Sequence, residues 1–179
     1  MPKQRTIVFD TETTGLLLHP QAALERQPRI IEFGAVLLED GAVVHDINLL
    51  INPQQELSAE ITKITGMTDD DLRGKPPFAE VLPFIKAAFA GCDLVVAHNL
   101  SFDRGMLRTE LRRCGVTDFP WPQKGICTVE LFRELFGRRP NLKVLYQHVM
   151  GKPLDQTHRA SGDVSALVEI VQCAEVWKF

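Results

Sequence analysis

The sequence predicts a mixed α/β fold, a five-stranded sheet with helices on both faces. Three observations carry that reading. Ile7-Val8-Phe9 is a short, wholly apolar run of the kind that forms a central strand buried on both sides. Two longer strand-like runs meet at Asp40-Gly41 and read as a hairpin. From residue 77 onward, helical periodicity alternates with short apolar strands, the order of a sheet covered by helices.

Taken in order, Ile7–Phe9 is the first strand, and residues 16–28 are an irregular loop in which Pro20 and Pro28 resist regular structure. Arg29 to Glu39 and Ala42 to Ile51 are the hairpin strands, stopped by Asn52-Pro53. Ser58, Ile61 and Ile64 predict a short helix closed near Gly66, and Thr68 caps another short turn. Phe78, Val81, Leu82, Ile85 and Phe89 recur at three- and four-residue spacing, an amphipathic helix ended by Gly91. Leu94–Ala97 is a strand, followed by a helix from Ser101 to about Cys114. Ile126–Thr128 is a short strand before a helix through Phe136; Asn141 caps the next helix and Ser161 opens the last.

At 179 residues the chain is read as a single domain, 1–179, large enough to bury a core without staples. A formal net charge of -3 excludes a generally basic nucleic-acid coat, though not local recognition of a strand end. The four cysteines show no Cys-x-x-Cys spacing, which points to reduced thiols and away from a disulfide framework or zinc site. No signal-peptide core follows Met1-Pro2-Lys3-Gln4-Arg5, and no apolar run approaches the ~20 residues of a membrane span. A cytoplasmic location without a membrane partner is therefore expected.

The chemistry is expected where acids follow apolar strands. Asp10 and Glu12 occupy alternate positions, so an extended backbone sends both side chains to the same side. An isolated Asp-x-Glu at a strand end is ordinarily a solvated turn pair. Here no basic residue falls between Arg5 and Arg26, and two like charges ~4 Å apart repel by about 4 kcal/mol at an effective dielectric of ~20. A divalent cation is the simplest remedy. Asp103 shares its helix side with Leu107, Leu111 and Cys114, while Arg104, Arg108 and Arg112 occupy the opposite half. Asp163 shares a helix side with Ala166, Leu167 and Ile170, and His158 precedes it by five residues across a small-residue turn. Four inward acids and one histidine are more than capping requires.

Phe9-Asp10-Thr11-Glu12-Thr13-Thr14-Gly15, His98-Asn99-Leu100-Ser101-Phe102-Asp103 and His158-x-Ala160-x-x-Asp163 resemble, in order and spacing, the three motifs of the DEDDh (DnaQ-like) 3′–5′ exonucleases. That family includes the epsilon proofreading subunit of bacterial polymerase III, ribonuclease T and oligoribonuclease. Ile64-Thr65-Gly66-Met67-Thr68 resembles the segment by which its members grip a terminal nucleotide, and the match spans Ile7 to Val171.

The resemblance implies a ribonuclease-H-like fold. It also implies Asp10, Glu12, Asp103 and Asp163 as ligands for two divalent ions, Mg²⁺ or Mn²⁺, and His158 as general base. Thr13, Gly15 and Leu16 would line the terminal nucleotide. Met67 would wedge against its base, Phe102 would stack on the next, and Asn99 would bond the substrate or shape its turn. For Met67 and Phe102, core packing is an equal alternative. Arg159 is expected to hold a phosphate. The implied activity is removal of nucleoside 5′-monophosphates from a single-stranded 3′ end, with DNA favoured and RNA trimming as the alternative. The chain stops soon after the last motif, so a polymerase partner would attach through another surface or gene product.

Overall fold

The computed structural model describes residues 3–155 and 159–178. Its sheet has five strands, β1 (Arg5–Thr13), β2 (Ile30–Glu39), β3 (Ala42–Leu50), β4 (Leu94–Ala97) and β5 (Lys124–Cys127). They lie in the order β3-β2-β1-β4-β5. β1 pairs antiparallel with β2 and parallel with β4; β3 is antiparallel to β2, and β5 parallel to β4. Asp40 and Gly41, at φ 50° and 82°, both occupy the left-handed region. That conformation lets a two-residue connection follow the twist of its strands, and it is why Asp-Gly serves here.

Period-two alternation along β1 divides the core. Ile7 and Phe9 face α3 (Phe78–Phe89) and α4 (Leu100–Arg113), where they pack with Ile85, Phe89, Met106 and Leu107. Val8 faces the other way, toward Leu145 of α7 (Leu142–Met150) and Val164, Leu167 and Val171 of α8 (Ala160–Cys173). The rings of Phe9 and Phe89 meet edge-on at 5.3 Å between centroids. Truncating either fully buried ring to Ala is expected to cost about 3–5 kcal/mol. Helices therefore cover both faces, as the sequence predicts.

Among the described residues, four shorter α-helices are α1 (Ala59–Thr65), α2 (Asp69–Leu72), α5 (Thr128–Leu131) and α6 (Arg133–Phe136). Ser58, Thr68 and Asn141 act as N-caps; Thr68 and Asp71 bond reciprocally as a capping box.

Several expected boundaries move, β1, β5 and the start of α4 among them, and three changes have a local cause. The helix expected through Phe136 breaks at Phe132, whose ψ of 2° ends α5 before α6 starts. Loop 16–28 contains a short 3₁₀ turn, Leu24–Arg26, tied to α4 by Arg113, which donates to the carbonyls of Leu24, Gln27 and Pro28. The last helix opens at Ala160, not Ser161, because its first N–H finds an acceptor on β2.

Candidate active site

β1 remains extended through Glu12, with a register irregularity only between Glu12 and Thr13. Asp10 and Glu12 therefore continue the row begun by Val8, toward α8. From that helix Asp163 reaches them, and one carboxylate oxygen from each of Asp10, Glu12 and Asp163 falls within a group spanning 4.8 Å. Thr11 continues the opposite row, toward α4. There its backbone N–H and hydroxyl both donate to Asp103 Oδ1, at 3.0 and 2.8 Å. Asp103 is 2% exposed and stands outside the three-acid group, but its charge is the strongest carboxylate influence on Asp10.

The electrostatics reflect this crowding. Burial first, then the charges of Asp103, Glu12, Asp163 and Glu32, push the Asp10 carboxyl well above its usual range. Burial likewise pushes Glu12 up to about 8, reinforced by Asp163, Glu32 and Asp103 and opposed by Arg159. Asp103 rises to about 7 by burial, against the two Thr11 hydrogen bonds. Clustered carboxylates that resist ionisation fit a divalent cation, whose charge removes both the burial penalty and the repulsion. The donors are all oxygens, and no thiol or imidazole joins the group among the described residues. Such a set suits hard ions such as Mg²⁺ or Mn²⁺.

The expected substrate residues have varied surroundings. Thr13 is buried and its hydroxyl donates to the Gly15 carbonyl at 2.8 Å, shaping the turn after β1. Leu16 is 79% exposed beyond that turn. Phe102 is half-buried against the core of the α3–α4 face. Asn99 adopts a left-handed conformation at the start of α4, and its Oδ1 accepts from Arg139 Nη2 at 2.9 Å. Met67 is 2% exposed and packed with Ile31 and Leu72, so its side chain offers little surface to a base. His158 lies outside the described residues.

Arg159, expected to hold a phosphate, is paired with Glu32 in this structure. Its Nε and Nη2 donate to Glu32 at 2.9 and 3.1 Å, a bidentate pair. Glu32 is 0% exposed and would be costly there without such a counter-charge. Glu32 lies outside the three motifs, and its signal in the sequence is a lone acid inside Ile30-Ile31-Glu32-Phe33-Gly34-Ala35. Thr11 is a further site residue not expected from the sequence. His98 is structural. Its Nδ1 lies 2.9 Å from Thr128 Oγ1, it bonds the Pro140 carbonyl, and burial lowers it to about 4.

The four cysteines are free, and no helix among the described residues is long and apolar enough to cross a membrane.

Comparison with known proteins matches an exonuclease family model (RNase_T) to residues 7–171. A Mycobacterium tuberculosis protein, named as a bifunctional exonuclease/endonuclease, is 35% identical over 92% of this chain. A PolC-type DNA polymerase III from Clostridium perfringens is 33% identical over 93% of it. The chain spans only 25% and 11% of these two relatives' lengths. Among solved structures, exonuclease X in complex with 5′-overhanging duplex DNA is 26% identical with a TM-score of 0.67, covering 95% of this chain and 93% of its own. The nuclease domain of 3′hExo, a DEDDh family member bound to rAMP, shares the fold at a TM-score of 0.76 and 17% identity, covering 98% and 93%. The ribonuclease-H-like architecture expected from the sequence is the one found, a mixed five-stranded sheet with helices on both faces. With a family match reaching from its first buried strand to its last long helix, the chain belongs to the exonuclease family.

Proposed function

We propose that the chain removes nucleotides from the 3′ end of single-stranded DNA, releasing nucleoside 5′-monophosphates. The observation that carries this reading is the meeting of Asp10, Glu12 and Asp163, from two distant segments, within 4.8 Å, with Asp103 behind them on Thr11.

Asp10, Glu12, Asp103 and Asp163 would hold two divalent ions, Mg²⁺ or Mn²⁺. When bound, such ions supply charge stabilisation for the attacking and leaving oxygens of an in-line displacement. Thr11 fixes the Asp103 carboxylate so that it does not reorganise as the site fills. His158 takes the proton from the attacking water, a role that imidazole chemistry suits near neutrality. The turn at Thr13 and Gly15 lies against the terminal nucleotide, and Leu16 presents its exposed side chain to the base. Phe102 stacks on the next base, a contact worth about 1–3 kcal/mol whatever the base. DNA is favoured because the polymerase relatives act on it by name and exonuclease X is seen with it. The matching region of the PolC-type relatives is part of a polymerase, which supports a polymerase as partner.

The test is digestion of end-labelled DNA and RNA oligomers, paired and unpaired, with Mg²⁺, Mn²⁺ or chelator. A ladder shortening from the 3′ side of unpaired DNA, abolished by chelator, is expected. Internal cuts, shortening from the 5′ side or faster loss of RNA would contradict the proposal.

A further inference from the structure

The cross-strand neighbours of Asp10 and Glu12 on β2 are Gly34 and Glu32, and both engage the first turn of α8. A Cβ on Gly34 would lie 2.8 Å from the carbonyl carbon and oxygen of Ala160, so only a residue without one lets the helix start rest on the strand. Two positions along the same face, Glu32 accepts the Ala160 N–H at 3.1 Å and grips Arg159 through two further bonds. The carbonyl of Arg159 in turn accepts the Asp163 N–H at 2.9 Å. The residue that Glu32 holds is therefore the one that closes the helical turn carrying Asp163.

We infer that Glu32 and Gly34 form a seat that sets the position of α8, and thereby places the Asp163 carboxylate against Asp10 and Glu12. Glu32 is a positioning residue and not a ligand: both of its oxygens are bonded to Arg159 and Ala160, and it is fully buried. Its negative charge adds to the repulsion on Asp10 and Glu12, so what it contributes is geometry. This inference rests on the proposed metal site.

The experiment is a calorimetric titration of Mn²⁺ into the full chain at pH 8, for wild type, Glu32→Gln, Glu32→Ala and Gly34→Ala. Melting in chelator confirms folding. Glu32→Gln keeps one acceptor for the Ala160 N–H and is expected to lose affinity only partly. Glu32→Ala and Gly34→Ala, which remove the hook and crowd the seat, are each expected to lose about 10–100-fold. In turnover assays kcat falls in these two variants while KM for the oligonucleotide holds. Equal losses in Glu32→Gln and Glu32→Ala would mean that charge alone acts, and would overturn the inference. Wild-type affinity in Glu32→Ala or in Gly34→Ala would do the same. Absence of Mn²⁺ binding by the wild type would instead remove the metal-site reading beneath it.

Discussion

Thr11 and Asp103, 92 positions apart in the chain, are joined twice: the backbone N–H and the hydroxyl of Thr11 both donate to one carboxylate oxygen. The pair links the central strand to α4 where the apolar core gives way to the acidic site. Asp103 is consequently held in one rotamer before any ion arrives.

Thr11→Val removes the hydroxyl bond with little change of shape and leaves the N–H bond in place. Because Asp103 is buried, loss of one donor is expected to cost about 1–3 kcal/mol of stability and about 10–100-fold in turnover. Thr11→Ser, which keeps the hydroxyl, is expected to retain most activity. Thermal melting with steady-state digestion of a labelled oligomer checks both.

The acidic site makes metal-free stability depend on pH. In the folded protein Glu12 keeps its proton up to about 8 and Asp103 up to about 7. Unfolded carboxyls release theirs near pH 4. The folded state thus binds more protons across that interval, so the stability from these groups is complete below about pH 4 and lost as pH rises through 7 and 8. Melting in chelator is expected to show Tm falling from pH 5 to 8. Millimolar Mg²⁺ or Mn²⁺ is expected to reverse most of the fall. A flat profile would show that the acids are not mutually burdened.

Glu12→Gln separates stability from activity. It removes one charge from the crowded group, so the metal-free protein is expected to melt higher than wild type at pH 8 while nucleotide release is lost. The rise in Tm on adding metal is expected to shrink as well. Scanning calorimetry with and without Mg²⁺, beside the digestion assay, reads all three.

Arg113 fastens loop 16–28 to α4 through three backbone carbonyls and an ion pair with Glu110 at 3.0 Å. Glu110 is almost fully buried and also accepts the Ile30 N–H. Arg113→Met therefore strands a buried charge, at an expected cost of about 3–5 kcal/mol. Released from its anchor, the loop that carries Leu16 is expected to raise KM for the oligonucleotide more than it lowers kcat. Chemical denaturation and initial-rate kinetics check the two effects.

Much of the site was legible because its signals were local. Asp10 and Glu12 obey the strand period, and Asp103 falls on the apolar side of its helix beside Leu107 and Leu111, where it is found. What escaped notice depended on partners far away in sequence. Arg159 stands beside the third motif, but its pairing with Glu32, 127 residues earlier, has no local signal. The same carboxylate accepts the Ala160 N–H, so α8 starts a residue before the Ser161 boundary that local capping rules favour. For Met67, the core-packing alternative is the one seen: it sits in a satellite core with Ile31 and Leu72. The break at Phe132 has no glycine or proline to mark it.

The central claim is that carboxylates from β1 and α8, Asp10, Glu12 and Asp163, act together by holding divalent cations. Anomalous scattering from crystals soaked in Mn²⁺ tests it most directly. The account expects manganese peaks about 2.0–2.4 Å from oxygens of Asp10, Glu12 and Asp163, vanishing in Asp10→Ala crystals. Peaks confined to other surfaces, with none among these three side chains, would contradict it.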